Sequence, residues 1–504
     1  MAPLPFLFPD LFAQRHNTAW RIEPGRREPF EPILSPRYPW DAGAVFTHGT
    51  ALFDPIDRRF KLWNISNPPG SHERRLTYAV SSDGVQWERP ALDVCPYDAE
   101  HPRTNILLDF ASGGNCSYPS VFIDPAAEGD RRYELFVLRY ARRGEKLVVR
   151  GLPLPPGQSE HRYGLYRYRS ADGLHWHAVE GPVLLGGDYP HGTADTCFVY
   201  RQADGSYVAH HKTELPSFPG TVVPYDIGRG ICRLAARRTS SDGTHWSEPL
   251  IVLAPDWRDA HDTQIMELLP MPAPGGFVAI VTIYHALTQT MDLQLAASRD
   301  GISWWRPDRR PCLANDPLGD YCGGMLWPTR TLIDHAGEYV LYFSGLDGIH
   351  GDVFETEQRE QFRAAGLPYR DWRLHEEQIS TRPTSIPFHG ALHRAVWTAG
   401  RLWAVVPAAG GPSEAVFTTV PRACAGRSLV VDAVTVKDGE LAAELLDGEG
   451  RPYPGFGRAD CAVFRGDEQR ATIRWAGGPA PPASHVSVRF YLRRARLYGF
   501  DFVE

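Results

Sequence analysis

The chain has 504 residues, more than one ordinary hydrophobic core serves, so two or three domains are expected. Hydrophobic residues make up 43% and charged residues 22%, a globular balance that excludes wholesale disorder. A net charge of -7 offers no basic field to a phosphate backbone, which excludes nucleic acid as a partner, and no apolar run reaches the roughly 20 residues of a membrane helix.

The opening MAPLPFLFPDLFAQRH is interrupted by prolines and lacks a basic leader, so a cytoplasmic protein is expected. Residues 1–35 read as an N-terminal extension. From there a repeat begins. The pattern S-x-D-G-x-x-W occurs four times, ending at Trp87, Trp176, Trp246 and Trp304. Asp-Gly marks a tight turn whose glycine takes positive φ. Each copy closes a longer unit of short alternating runs rich in Val, Tyr, Phe and Leu. The units are 49–87, 117–176, 195–246 and 262–304, and a fifth opens at 323–345. Each reads strand, turn, strand, loop, strand, turn, strand. The expected fold is therefore all-β: a five-bladed β-propeller over residues 36–390. Within unit five, residues 355–377 are charge-rich and partly helical in pattern, and they read as a solvated surface insertion, with a lid over one face of the propeller as the alternative.

Beyond residue 391 the repeat stops, and alternating strands are separated by Asp447-Gly448, Glu449-Gly450 and Gly477-Gly478 turns. Residues 391–504 read as a jelly-roll-like β-sandwich that packs on the propeller as an accessory domain. Eight scattered cysteines with no C-x-x-C pair suit a reduced, mostly buried set rather than a disulfide framework.

A propeller carries its chemistry where the first strand of each blade begins beside the central channel. Those positions hold Trp40 and Asp41 in unit one and Asn115, Ser117 and Tyr118 in unit two. Unit three has Asp195 and Thr196, unit four His261, Asp262, Thr263 and Gln264, and unit five Asp320 to Gly324. Convergence of Asp41, Asp195, Asp262 and Asp320 on one axis would split their pKa values, leaving one carboxylate ionised and another protonated. Glycosidic bond cleavage needs that arrangement: an acid for the leaving oxygen and a carboxylate as nucleophile or base. The competing expectation for each aspartate is a turn cap that binds backbone N–H groups. His48, His191, His210, His211, His261, His285 and His350 fall near the same rim, and Arg229 and Arg233 suit an acidic substrate group. No His-x-x-x-His spacing, nucleotide loop or G-x-S-x-G elbow occurs, so neither a metal nor a cofactor is expected.

The closing S-x-D-G-x-x-W turns, with Phe53-Asp54-Pro55, Arg59 to Trp63, and Ala79 to Trp87, resemble the first blade of five-bladed propeller glycoside hydrolases of families 43, 32 and 68, with family 130 more distant. Leu445 to Pro452, Gly455-Phe456 and Arg496 to Phe500 are similar to their appended sandwich. The resemblance implies a glycoside hydrolase acting on a carbohydrate, on a furanoside or an oligosaccharide. It implies Asp41 as base or nucleophile and Asp195 or Asp262 as acid. Trp40, Asp320, Gln264, His261, Tyr118, His285, His350 and Arg229 would then hold the sugar. Unit two lacks the carboxylate that these families carry on their second blade, and Glu214 and Glu267 are available at other positions. A phosphorylase or transferase on the same scaffold, and a non-catalytic carbohydrate-binding propeller, are the alternative readings.

Overall fold

The computed structural model describes residues 3–41, 44–68, 74–109, 115–140, 164–185, 196–216, 231–317, 320–330, 332–350, 390–411, 413–481 and 483–504. The chain is all-β, and none of its described helices is long and apolar enough to cross a membrane. Three short N-terminal strands come first: β1 (Phe12–His16), β2 (Thr18–Ile22) and β3 (Arg26–Arg27).

Four-stranded antiparallel meanders follow. The first comprises β4 (Ala44–Asp54), β5 (Arg59–Asn67), β6 (Arg75–Ser81) and β7 (Ile106–Leu108). The second comprises β8 (Asn115–Ile123), β9 (Tyr133–Tyr140), β10 (Gly164–Ser170) and β11 (His177–Leu185). The third comprises β12 (Cys197–Arg201), β13 (Tyr207–Pro216), β14 (Ile231–Ser240) and β15 (Leu250–Leu253). A fourth unit is built from β16 (Thr263–Ala273), β17 (Gly276–His285) and β18 (Thr290–Ser298). It joins through one parallel pair, Met291 with Met325, to β19 (Met325–Pro328). Next come β20 (Ile333–His335), β21 (Glu338–Leu346) and β22 (Gly390–Thr398), and β3 closes that sheet's edge against β22.

The repeated motif has one structure in all four copies. The serine hydroxyl accepts the glycine N–H at 2.8 Å in Ser81–Gly84, 2.9 Å in Ser170–Gly173, 2.8 Å in Ser240–Gly243 and 2.9 Å in Ser298–Gly301. The aspartate then caps the next two N–H groups, as Asp83 does for Val85 and Gln86. Each turn also leans on the preceding unit. The Trp63 indole N–H donates to Gly173 O at 2.8 Å, Arg167 to Asp242 O at 2.7 Å, and Trp304 meets His210 edge-on at 6.2 Å. Tyr342 of β21 donates to Gly84 O at 2.8 Å, so the last unit meets the first. The motif therefore works as a fastener between neighbouring units, at the strand ends remote from the β16 start.

The C-terminal strands are β23 (Trp403–Pro407), β24 (Glu414–Thr419), β25 (Arg422–Ala423), β26 (Ser428–Leu446), β27 (Asp467–Thr472) and β28 (His485–Val503). They form one hydrogen-bonded sheet in which β1 pairs with β24 and β2 with β23. β1 and β2 thus belong to this sheet, while β3 pairs with β22, which crosses residue 391 and pairs with β21. Trp403 enters the same apolar cluster as Phe6, Ile22, Leu341 and Trp397, so the core runs continuously across the seam. All eight cysteines are free thiols, and six are buried.

Candidate active site

The first strands β4, β8 and β16 each slip register: between Phe46 and Thr50, between Ser117 and Ser120, and between Ile265 and Glu267. A bulge leaves residues without a cross-strand partner and re-aims their side chains. His48 and Tyr118 fall within such slips, and Glu267 follows the skipped Met266 and faces Thr282; the three side chains share one buried cluster. The His48 ring lies 4.6 Å from Tyr118 and 4.2 Å from Trp327 of β19, and its Nδ1 lies 3.9 Å from Glu267 Oε1. Glu267 Oε2 accepts the Thr282 hydroxyl at 2.8 Å. Tyr118 holds φ at 53°, a left-handed value costing a non-glycine residue about 1–3 kcal/mol, and such strain gathers at functional sites.

Neighbouring units are stitched beside this cluster by hydroxyls. Thr50 donates to Pro119 O at 2.9 Å and accepts Val121 N–H at 3.0 Å, while Ser120 accepts Val199 N–H at 3.1 Å. Arg330 N–H donates to Gly49 O at 2.9 Å. Its guanidinium lies 5.6 Å from the Phe122 ring and 5.7 Å from Phe198, and burial pushes its pKa down to about 9.

A second polar group gathers where β16 begins and β17 ends. Gln264 accepts Arg233 Nη1 at 3.0 Å, and that guanidinium lies 4.6 Å over Tyr284, whose ring is 5.3 Å from His350. His285 Nε2 meets Asp292 Oδ2 at 2.8 Å. Burial alone would lower the His285 pKa; the Asp292 hydrogen bond, then the charges of Asp292 and Asp262, outweigh it and raise it. Asp262 is half-buried, and its Oδ2 accepts Leu287 N–H at 3.3 Å. His261 beside it is exposed.

Of the residues expected to share a site, Asp262, Gln264, His285 and His350 therefore stand together, and Tyr118 stands with His48. Others are elsewhere. Asp41 is buried, but Oδ1 accepts Arg37 N–H at 2.7 Å and Tyr38 N–H at 2.6 Å, and Oδ2 accepts Arg89 at 2.8 Å. Its pKa is raised by burial, with Arg89 and the two N–H groups opposing, and no second carboxylate takes part among the described residues. Asp41 is thus a turn cap and ion-pair partner, a correction to its expected place as an open axial carboxylate. Trp40 stacks on Tyr38 at 4.7 Å and donates to Asn105 at 2.8 Å, next to the outer strand β7, so it too is corrected from a sugar contact to a packing residue. Asp320 is exposed on a turn before β19, where its backbone accepts Gly323 N–H, and does not reach the buried cluster. Asp195, His191, Arg229 and the 355–377 insertion lie outside the described residues.

His48 was expected near the rim only as one of seven histidines, and Glu267 was named only as available at another position. The available signal was an ionisable residue inside an apolar run, Gln-Ile-Met-Glu-Leu-Leu, where only a partnered charge is tolerated. No group of three or more His, Cys, Asp or Glu able to hold a metal ion occurs among the described residues.

No protein-family model matches the chain, and no curated protein matches it. Solved structures do. A glycosyl hydrolase from Bacteroides ovatus aligns at 13% identity and a TM-score of 0.42, over 67% of this chain and 93% of that one. A thermostable family-43 glycoside hydrolase aligns at 11% and 0.40, over 60% and 83%. A third, at 15% and 0.42 over 67% and 93%, comes from work reporting that the GH130 family of mannoside phosphorylases contains glycoside hydrolases that target β-1,2 mannosidic linkages in Candida mannan. Alignments at these values decide no activity, which has to be read from the residues of the site.

Proposed function

We propose that the chain is a carbohydrate-active enzyme that cleaves a glycosidic bond at the axis of a five-bladed propeller, with the C-terminal strands as an accessory sandwich. The observation that carries this reading is Glu267, a buried carboxylate on a first strand, with Oε1 3.9 Å from Nδ1 of His48, whose own ring packs against Tyr118 and Trp327. Aromatic rings accept the C–H faces of a sugar, and a carboxyl group beside them reaches its oxygens. Glu267 donates a proton to the leaving oxygen, and His48 orients it. Asp262 is five residues upstream, roughly 16 Å along an extended strand. It therefore serves the mouth, binding a sugar hydroxyl with Gln264. The second carboxylate falls to Asp195, two residues before β12.

Arg233 and His285 at the mouth favour one variant of this reading, in which phosphate replaces water as the attacking group. Screening the protein against aryl pentosides and hexosides, with and without inorganic phosphate, tests both. Turnover that is lost in Asp195→Asn and kept in Asp41→Asn is expected. No turnover of any substrate, with or without phosphate, contradicts the enzymatic reading and leaves a binding propeller.

A further inference from the structure

Between β15 and β16 the chain makes a turn that exposes Trp257 at 91% of its surface, against 63% for Phe30, the next most exposed large apolar side chain among those described. The turn beneath it is tightly held. Asp256 N–H donates to Asp259 Oδ2 at 2.7 Å, Arg258 N–H to Asp256 Oδ1 at 2.9 Å, and Asp259 N–H to Asp256 O at 3.0 Å. Asp259 is ion-paired with Arg306, and both side chains are almost wholly buried. Arg309 pairs with Asp256 and lies 3.0 Å from Asp259. Burying an ion pair is costly, so fixing a surface turn in this way calls for a reason. The turn runs directly into Asp262 and Thr263, at the strand ends where Gln264, His285 and Leu287 stand.

We infer that Trp257 is a stacking platform for a sugar ring of a glycan that extends outward from the mouth. A pre-fixed indole loses little freedom on binding, and its face covers the C–H side of a pyranose or furanose. Its surroundings are charged: Asp256, Arg258 and Arg309, with the exposed His261 on the same loop. A single indole offers about 150–250 Å². A stable protein interface needs about 800 Å² per partner, so a second copy of the chain is the poorer occupant. The inference rests on the glycan-acting reading above, but it concerns binding rather than bond cleavage.

Native affinity electrophoresis through gels containing mannan, arabinan or inulin tests it, comparing wild type, Trp257→Ala, Trp257→Phe and Glu267→Gln. At least one polysaccharide retards the wild type, Trp257→Ala binds it about tenfold more weakly, and Trp257→Phe stays close to wild type. Equal retardation of wild type and Trp257→Ala overturns the inference, as does no retardation in any gel. A dimer that becomes a monomer in Trp257→Ala by light scattering also overturns it, in favour of self-association. If Glu267→Gln keeps full turnover while Trp257→Ala loses retardation, the axial mechanism fails and the platform stands.

Discussion

Acid should destabilise this protein through its buried histidines, and His210 isolates the effect. Its ring lies between Tyr200 at 5.8 Å and Trp304 at 6.2 Å, with no hydrogen-bond partner for either nitrogen among the described residues. Burial, then the charges of Arg237 and His211, push its pKa down to about 3. Burial likewise brings His211 and His393 down to about 4. In the unfolded chain each returns to about 6.5, so below that pH the unfolded state takes up protons that the folded state refuses. Stability therefore falls as pH drops through 6.5 and goes on falling until the folded values are reached. At pH 5 the loss is about 2 kcal/mol per histidine, or about 6 kcal/mol for the three, against a typical total of about 5–15 kcal/mol. His210→Phe keeps a flat ring between Tyr200 and Trp304 and removes the titrating group. Urea unfolding followed by tryptophan fluorescence between pH 5 and 7.5 should give a variant whose pH-dependent loss is about 2 kcal/mol smaller than that of wild type. An unchanged pH dependence in His210→Phe would refute the reasoning.

Asp41→Asn should lower stability by about 1–3 kcal/mol, because Arg89 loses its charged partner, while turnover per folded molecule is unchanged; denaturation and initial rates together check this. His285 has a folded pKa above its ordinary value, so its pairing with Asp292 stabilises the protein at low pH, and that contribution disappears as pH rises through the raised value. Asp292→Asn should move the His285 titration downward by NMR, and an unmoved titration would contradict the pairing. Gly84→Ala forces a side chain into φ +74° with its Cβ 2.5 Å from the Tyr342 hydroxyl oxygen. It should cost about 1–3 kcal/mol by loosening the contact between the first and last units, and an unaltered melting midpoint would count against that fastener.

The repeat was legible because its bonds are local. Ser81, Asp83 and Gly84 satisfy one another within three residues, so the motif reads directly as a turn. The site was less legible because it depends on bulges, and spacing does not show which residues of β4 or β8 drop out of the ladder. Counting from the strand starts pointed to Asp41, whereas the slip between Phe46 and Thr50 brings forward His48, seven residues later. Asp41 itself looked open because Arg89, which closes it, is 48 residues away. The pairing of the first strands with the last was hidden for a similar reason. β1 has five residues, four of them exposed, and carries little periodicity; only its pairing with β24, some 400 residues away, identifies its sheet. Asp262, Gln264 and His285 were easier to place near one another because they lie where β16 begins and β17 ends, and strand ends are the part of the fold that alternation and turn signals do define.

The central claim is that the buried carboxylate of Glu267 performs the chemistry, and Glu267→Gln tests it most directly. The amide keeps the shape and can still accept the Thr282 hydroxyl, but it cannot donate a carboxylic acid proton. On the best aryl glycoside for the wild type, the account predicts an unchanged far-ultraviolet spectrum and a fall in kcat of about 10²–10⁴-fold, the usual worth of a positioned general acid. A folded Glu267→Gln protein with wild-type kcat would contradict it.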